Sequence, residues 1–385
     1  VISPASLLSG SRVLIDLDAL ASNTAQLRRR AGNAEVMAIV KANAYGHGMV
    51  PCARAALAGG ATWLGAAQID EALVLRAELG MPAPILAWLY PPDGRFSEAI
   101  AADIDLGVSS LGALEVIASA ARDLGRPARI HLKVDTGLGR SGAQPATWPE
   151  LVERALGLQA EGSCAIVGCW SHLAYADAPD HPTIAAQKEV FAWAVEAAER
   201  MGARFEVRHL ANSALLLTDP SAAWDMVRPG LALYGLSPMP GLASSADLGL
   251  RPVMTWESQL VLVKAVPGGH GVSYGHEYVT ASDTTLGLVP LGYADGVPRH
   301  LSNVGPVWVG GRRLRVSGRV CMDQFVVDLG AGAREVAGDP VVLLGPGDRG
   351  EPTADDWAAA AGTISYEITT RIPAHVRREY VGGAG

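Results

Sequence analysis

Residues 36–48 read VMAIVKANAYGHG. An apolar run ends in a lysine, and the lysine opens onto a turn that carries Gly46 and Gly48. A run this short and this continuously apolar reads as a strand buried on both faces, which delivers Lys41 to a Gly-rich turn. The same grammar recurs downstream. Apolar runs at 62–66, 84–89, 103–108, 129–134, 164–170 and 205–209, with a last one beginning near Met226, bring the strands to eight. Between them lie segments of helical composition such as 68–79, 111–124 and 183–201. Eight strand-helix units predict an α/β fold built as a (β/α)₈ TIM barrel, although a doubly wound open sheet gives a similar pattern.

After about residue 240 the pattern changes. Segments 251–265, 272–279, 284–291, 306–321, 324–329 and 340–344 read as short Val-rich strands between Gly, Pro and Asp turns, with one helix expected over 354–361. The stretch SPMPGLASSADLGL (237–250) reads as an exposed link. The expected division is a barrel over 1–242 and a mostly β domain over 243–385, with the first residues as candidate partners of the β domain. A chain of 385 residues suits two domains.

Composition excludes several functions. Against 31 Lys+Arg stand 39 Asp+Glu, for a net charge of -8, and no basic tract offers the cationic footprint that a nucleic acid requires. No uninterrupted apolar stretch is long enough to span a membrane. The opening VISPASLLSGSRVLIDLDAL lacks a basic segment and meets Asp16 and Asp18 early, a poor signal peptide. Cys52, Cys164, Cys169 and Cys321 are too scattered for a disulfide framework or a zinc site. A cytoplasmic protein with reduced thiols and no metal is expected.

Ligands of a strand-helix barrel sit at the C-terminal ends of its strands. Lys41 ends the first strand; Lys133, Asp135 and Arg140 end or follow the fifth; His172 follows the sixth; His209, Asn212 and Ser213 follow the seventh; Arg228 lies at the eighth. Each has an ordinary explanation, since a lysine beside a turn is commonly a solvated loop residue. Their repetition at one barrel face is what suggests a site. Arg228, flanked by apolar residues in DMVRPGLALYG, is expected to be partly buried against an acceptor or anion. HLANSA and RPGLALYG supply backbone N–H groups and the Ser213 hydroxyl for a phosphate cup. Neither GxGxxG after an early strand nor GxxxxGK[ST] occurs, so dinucleotides and nucleoside triphosphates lack their usual warrant.

The stretch at 36–48 resembles the cofactor-lysine signature of the alanine racemase family, which uses pyridoxal 5'-phosphate. The resemblance continues in order through HLKVDTGLGRSG (131–142), SHLAYAD (171–177), HLANSA (209–214), DMVRPGLALYG (225–235), GVSYGHEY (271–278), LGYADGVPR (291–299), GRVCMDQ (318–324) and GTISYEI (362–368). It implies interconversion of L- and D-alanine by two bases acting on a pyridoxal phosphate aldimine, in service of D-alanine supply for peptidoglycan. Lys41 would carry the cofactor and act as one base, with Tyr274 as the other. Tyr45, Ser213, the backbone at Gly230 and Leu231, and Tyr366 would hold the phosphate. Arg228 would face the pyridine nitrogen, with His172 linking it towards Tyr274. Arg140 would meet the tyrosine phenolate and the substrate carboxylate, oriented by Lys133, which is carboxylated in many members. In the homodimer that the resemblance implies, Met322 and Asp323 would come with Tyr274 from the partner subunit, and Tyr293, Asp177 and Arg319 would line the entrance. Leu173 stands where the family commonly has phenylalanine.

A barrel-fold decarboxylase would be expected to place an acid at the pyridine nitrogen and a cysteine in place of Tyr274. A cofactor-binding barrel without turnover would lack residues 245–385. A racemase for serine stays open.

Overall fold

The structure, a computed structural model, describes residues 11–383. The first half of the segment weighed as a signal peptide lies outside the described residues. No helix among those described is long and apolar enough to cross a membrane.

The chain starts outside the barrel. Strand β1 (Arg12–Asp16) pairs antiparallel with Met254–Gln259 and parallel with Arg377–Val381, so it belongs to a six-stranded sheet of the C-terminal region. The Asp16 carboxylate then caps helix Leu17–Arg30 by accepting from the Ala19 amide at 2.9 Å. That helix carries the chain to the barrel.

Eight strands follow in parallel: β2 (Glu35–Ile39), β3 (Trp63–Gln68), β4 (Ile85–Leu89), β5 (Ile104–Val108), β6 (Ala128–Lys133), β7 (Cys164–Trp170), β8 (Val207–His209) and β9 (Met226–Val227). Neighbours pair in sequence order from β2 to β8, and β9 returns to pair with β2 through Glu35↔Met226 and Val36↔Val227. Between β8 and β9 the seam is irregular. Asp225 N donates to Arg208 O and Arg228 N to Ala211 O, which brings the sheet round to closure. Every residue of β5 is buried, as is all of β7 except Ala165, so both strands are covered on both faces. The expected strands and the helices at 69–79, 111–124 and 182–200 stand within two residues of their sequence-based limits.

The C-terminal region is mostly β as expected, with helix Ala354–Ala361 where it was placed. Segment 251–265 divides into two strands, Met254–Gln259 and Leu262–Val266, in different sheets. Segment 272–279 keeps only short pairs around a turn at Tyr274–His276. Segment 306–321 is a hairpin, Pro306–Val309 with Arg312–Arg315, that gives way to a loop. Helix Ser365–Thr370 and strand Arg377–Val381 were not anticipated. One continuous core joins the barrel to the β region, and Trp148, Trp256, Trp357 and Tyr234 are its largest fully buried side chains.

Candidate functional site

At the C-terminal mouth of the barrel lies a cavity of about 570 Å³ lined by Lys41, Tyr45, Lys133, Arg140, His172, Ser213, Arg228, Gly230, Leu231 and Tyr366. These are ten of the residues singled out from the sequence. Trp88 and Trp170, which were not, form its remaining aromatic walls. Among the described residues no carboxylate lines it, while two lysines and two arginines do. Such a site is built for an anion.

Lys41 is delivered by an unusual exit. Ala42, Asn43, Ala44 and Tyr45 all have φ of 53–54°, a left-handed winding in four residues that carry Cβ atoms. That conformation costs roughly 1–2 kcal/mol per residue and persists only where its surroundings impose it. Here Glu71 accepts from the Ala42 amide at 2.7 Å, the Asn43 side chain accepts from Met49 N at 2.9 Å, and Arg378 donates to Gly46 O at 2.7 Å. Gly46 and Gly48 have positive φ, and a Cβ on either would collide with Thr369 O or the Tyr380 hydroxyl. The two glycines are thus where the C-terminal segment docks behind the lysine.

The loop after β6 is organised by Asp135, which accepts from the amides of Gly137, Leu138 and Gly139 and from Gln144. These bonds outweigh burial and hold its pKa below the usual carboxylate value. The loop presents Arg140 and sets Ser141 Oγ 2.6 Å from Lys133 Nζ. At the opposite wall Ser213 Oγ accepts from Gly230 N at 2.8 Å and Ala232 N at 3.3 Å. A Cβ at Gly230 would stand 2.4 Å from the Tyr45 hydroxyl, so only glycine leaves this cradle open. Arg228, 5% exposed, donates to Ser171 O, Leu210 O and His209. All its partners are acceptors.

The crowding of cations controls protonation. Lys41 is lowered by desolvation first and by Arg140 second. Desolvation, with Arg228, Arg140, Lys133 and Lys41 around it, holds His172 well below its ordinary pKa and therefore neutral. Arg228 is drawn down to about 9 by burial and stays protonated at neutral pH.

Lys133 is lowered to about 8 from 10.5, chiefly by burial and then by Arg140 and Arg228. Between those values the unfolded chain holds a proton that the folded one has released, so stability rises with pH across that window. The buried charge destabilises the fold most below pH 8. Lys133→Met is accordingly expected to stabilise the cofactor-free protein at neutral pH by about 1–2 kcal/mol in carbon-dioxide-free buffer. Thermal melts across the window should show the advantage shrinking as pH rises. A variant less stable than its parent at neutral pH would contradict this assignment.

The remaining sequence candidates lie elsewhere. Tyr274, Tyr293, Arg319, Met322 and Asp323 do not line this cavity. Tyr274 projects from a tight turn in which Ser273, Gly275 and His276 all have positive φ, and it is 70% exposed. Ser273 Oγ donates to Arg319 O at 2.7 Å, Tyr293 N to Cys321 O at 3.0 Å and Ala294 N to Met322 O at 2.9 Å. The Tyr274, Tyr293 and 319–323 loops are therefore knitted into one patch on the β region, with Tyr274, Tyr293 and Met322 exposed. Asp177 lines a second cavity of about 880 Å³ that shares the Asn212 and Tyr366 walls with the first.

Comparison with known proteins identifies the family. Residues 15–238 match the family description "Alanine racemase, N-terminal domain", and residues 253–380 match "Alanine racemase, C-terminal domain". The chain is 58% identical to the alanine racemase of Streptomyces coelicolor over 96% of each chain, and 56% identical to that of Frankia casuarinae over 98% of each. The crystal structure of alanine racemase from Streptomyces lavendulae superposes with a TM-score of 0.96 at 55% identity, covering 98% of this chain and 99% of that one. Sequence and fold agree along both matched regions, and the chain belongs to the alanine racemase family.

Proposed function

We propose that the protein interconverts L- and D-alanine with pyridoxal 5'-phosphate, using Lys41 and a partner subunit's Tyr274 as bases on opposite faces of the substrate. The observation that carries the reading is Lys41 at a barrel exit, inside a carboxylate-free cationic cavity that also holds the open cradle at Ser213 and Gly230. The donor set fits the cofactor: an amine for its aldehyde, backbone and hydroxyl donors for its phosphate, and a guanidinium for its ring nitrogen. Bound there, the cofactor supplies the electron sink for the α-carbanion that side chains lack.

The chain's own residues do the rest. Burial and the neighbouring Arg140 lower the proton affinity of Lys41, which favours its role as a base. Tyr45, Ser213, Gly230, Leu231 and Tyr366 hold the phosphate. Arg228 would face the ring nitrogen as a donor that does not readily surrender its proton, a partner that would favour reprotonation at Cα over transamination. Arg140 binds the substrate carboxylate. Lys133, with a lowered pKa, is primed to react with carbon dioxide, and the resulting carbamate would give Arg140 an anionic neighbour in place of a cation. His172 connects Arg228 towards Tyr274, and Met322 and Asp323 accompany that tyrosine. Tyr293, Asp177 and Arg319 form the entrance.

Borohydride reduction of the cofactor-loaded protein, followed by peptide mass spectrometry, is expected to place the pyridoxyl group on Lys41. A label on Lys133 instead would remove Lys41 from its role.

A further inference from the structure

Beneath the cavity a polar run crosses the barrel interior, where layers of Val, Ile and Leu normally fill such a barrel. Arg129, His131 and Lys133 alternate along β6, and the strand's period of two turns all three to one face, the face from which Lys133 lines the cavity. His131 Nε2 lies 3.0 Å from Asp105 Oδ2 on β5, and its Nδ1 lies 3.0 Å from His209 Nε2 on β8. Arg228 Nη1 lies 3.0 Å from His209 Nδ1. Arg129 Nε ends the series, 2.8 Å from Asp105 Oδ1. The run links the outer end of β6 to the wall of the cavity. Asp105, His131, His209 and Arg228 are all buried, and Trp63 and Trp170 pack on the two imidazoles.

To reach β8 the ring of His131 must pass β7. Gly168 makes the passage: a Cβ there would stand 2.3 Å from His131 Nδ1. Its φ lies outside the left-handed region, so the clash an alanine would meet is with the His131 ring rather than with its own backbone conformation.

The hydrogen bonds have a single possible direction. Arginine only donates, so His209 Nδ1 must be a bare acceptor and the ring must carry its proton on Nε2. That proton goes to His131 Nδ1, which leaves His131 with its own proton on Nε2, donated to the Asp105 carboxylate. Both imidazoles are neutral in this scheme, in keeping with burial and Arg228, which hold His209 well below its ordinary pKa. Asp105 is held ionised: burial opposes it, and the bonds from His131 and Arg129 prevail.

We infer that Asp105 and His131 are positioning residues for Arg228, which they hold by fixing His209 as an acceptor through a one-way hydrogen-bond relay across the barrel. The relay ends on Asp105, which does not line the cavity, so it anchors a buried guanidinium without placing an acid there. The turnover effect rests on the proposed role of Arg228; the proton positions do not.

Two measurements test it. Nitrogen-15 NMR of histidine-labelled protein, with and without pyridoxal 5'-phosphate, is expected to find His131 and His209 neutral with their protons on Nε2 across the neutral pH range. A proton on Nδ1 of either ring, or a doubly protonated ring, would overturn the relay whatever the enzyme's activity. In the second, Gly168→Ala and His131→Phe should each lower kcat about ten- to a hundredfold while KM moves less than about twofold, with a shift in cofactor absorption. Asp105→Asn keeps an acceptor oxygen, so it should preserve the tautomers and lose less kcat than Gly168→Ala. Wild-type kcat and absorption in a folded Gly168→Ala protein would also overturn it. Should that variant fail to fold, the wild-type tautomers decide alone.

Discussion

Lys41→Ala is expected to bind pyridoxal 5'-phosphate without a covalent link and to invert alanine at least about 10⁴-fold more slowly than its parent. The loss exceeds that of an ordinary binding residue because, in the proposed mechanism, one amine both tethers the cofactor and moves the substrate proton. The fold should tolerate the change. Lys41 has no hydrogen-bonded side-chain partner among the described residues, and the left-handed exit behind it is held by Glu71, Asn43 and Arg378 rather than by the lysine. Chiral analysis of alanine measures the loss, and added methylamine, as a free base, should restore part of the rate. Turnover within about tenfold of the parent would mean that another group is the base on that face.

The second large effect concerns Tyr274. Lys41 faces a cavity that Tyr274 does not line, while Tyr274, Met322 and Tyr293 stand exposed on the β region. Two candidate bases of one reaction, separated on one chain, meet if two copies associate about a two-fold axis, which makes two equivalent composite sites. Lys41→Ala and Tyr274→Phe should each be silent as homodimers. In a mixed dimer one site lacks both residues and the other is native, so random exchange of equal amounts should restore about a quarter of the parental specific activity. Continued silence after exchange has been verified by mass would exclude the composite site.

The sequence made the barrel legible because its strands are buried on both faces, and near-continuous apolar runs such as ILAWL and CAIVGCW have few other readings. The lysine, arginine and histidine positions followed from where those runs end. The left-handed winding at Ala42–Tyr45 did not, since alanine and tyrosine favour the right-handed form and only contacts with distant residues such as Arg378 oppose it. Strand Arg377–Val381 was hidden because RREYV is a charged sheet edge whose one partner among the described residues, β1, lies at the other end of the chain. Asp105 and His131 were absorbed into apolar strands. The signal was present: Arg129, His131 and Lys133 at alternate positions put three ionisable groups on one strand face, and a buried face of that kind demands partners. Tyr366 emerged only through the family resemblance, because its six-residue helix is too short to leave a periodic pattern.

The central claim, reversible inversion at Cα by two opposed bases, is tested most directly with L-alanine in deuterium oxide and the protein loaded with pyridoxal 5'-phosphate. The reaction should run to equal amounts of the two enantiomers, both carrying deuterium at Cα, without stoichiometric formation of pyruvate. Deuterium entering L-alanine alone, with no D-alanine formed, would contradict the account by showing a single base at work on one face.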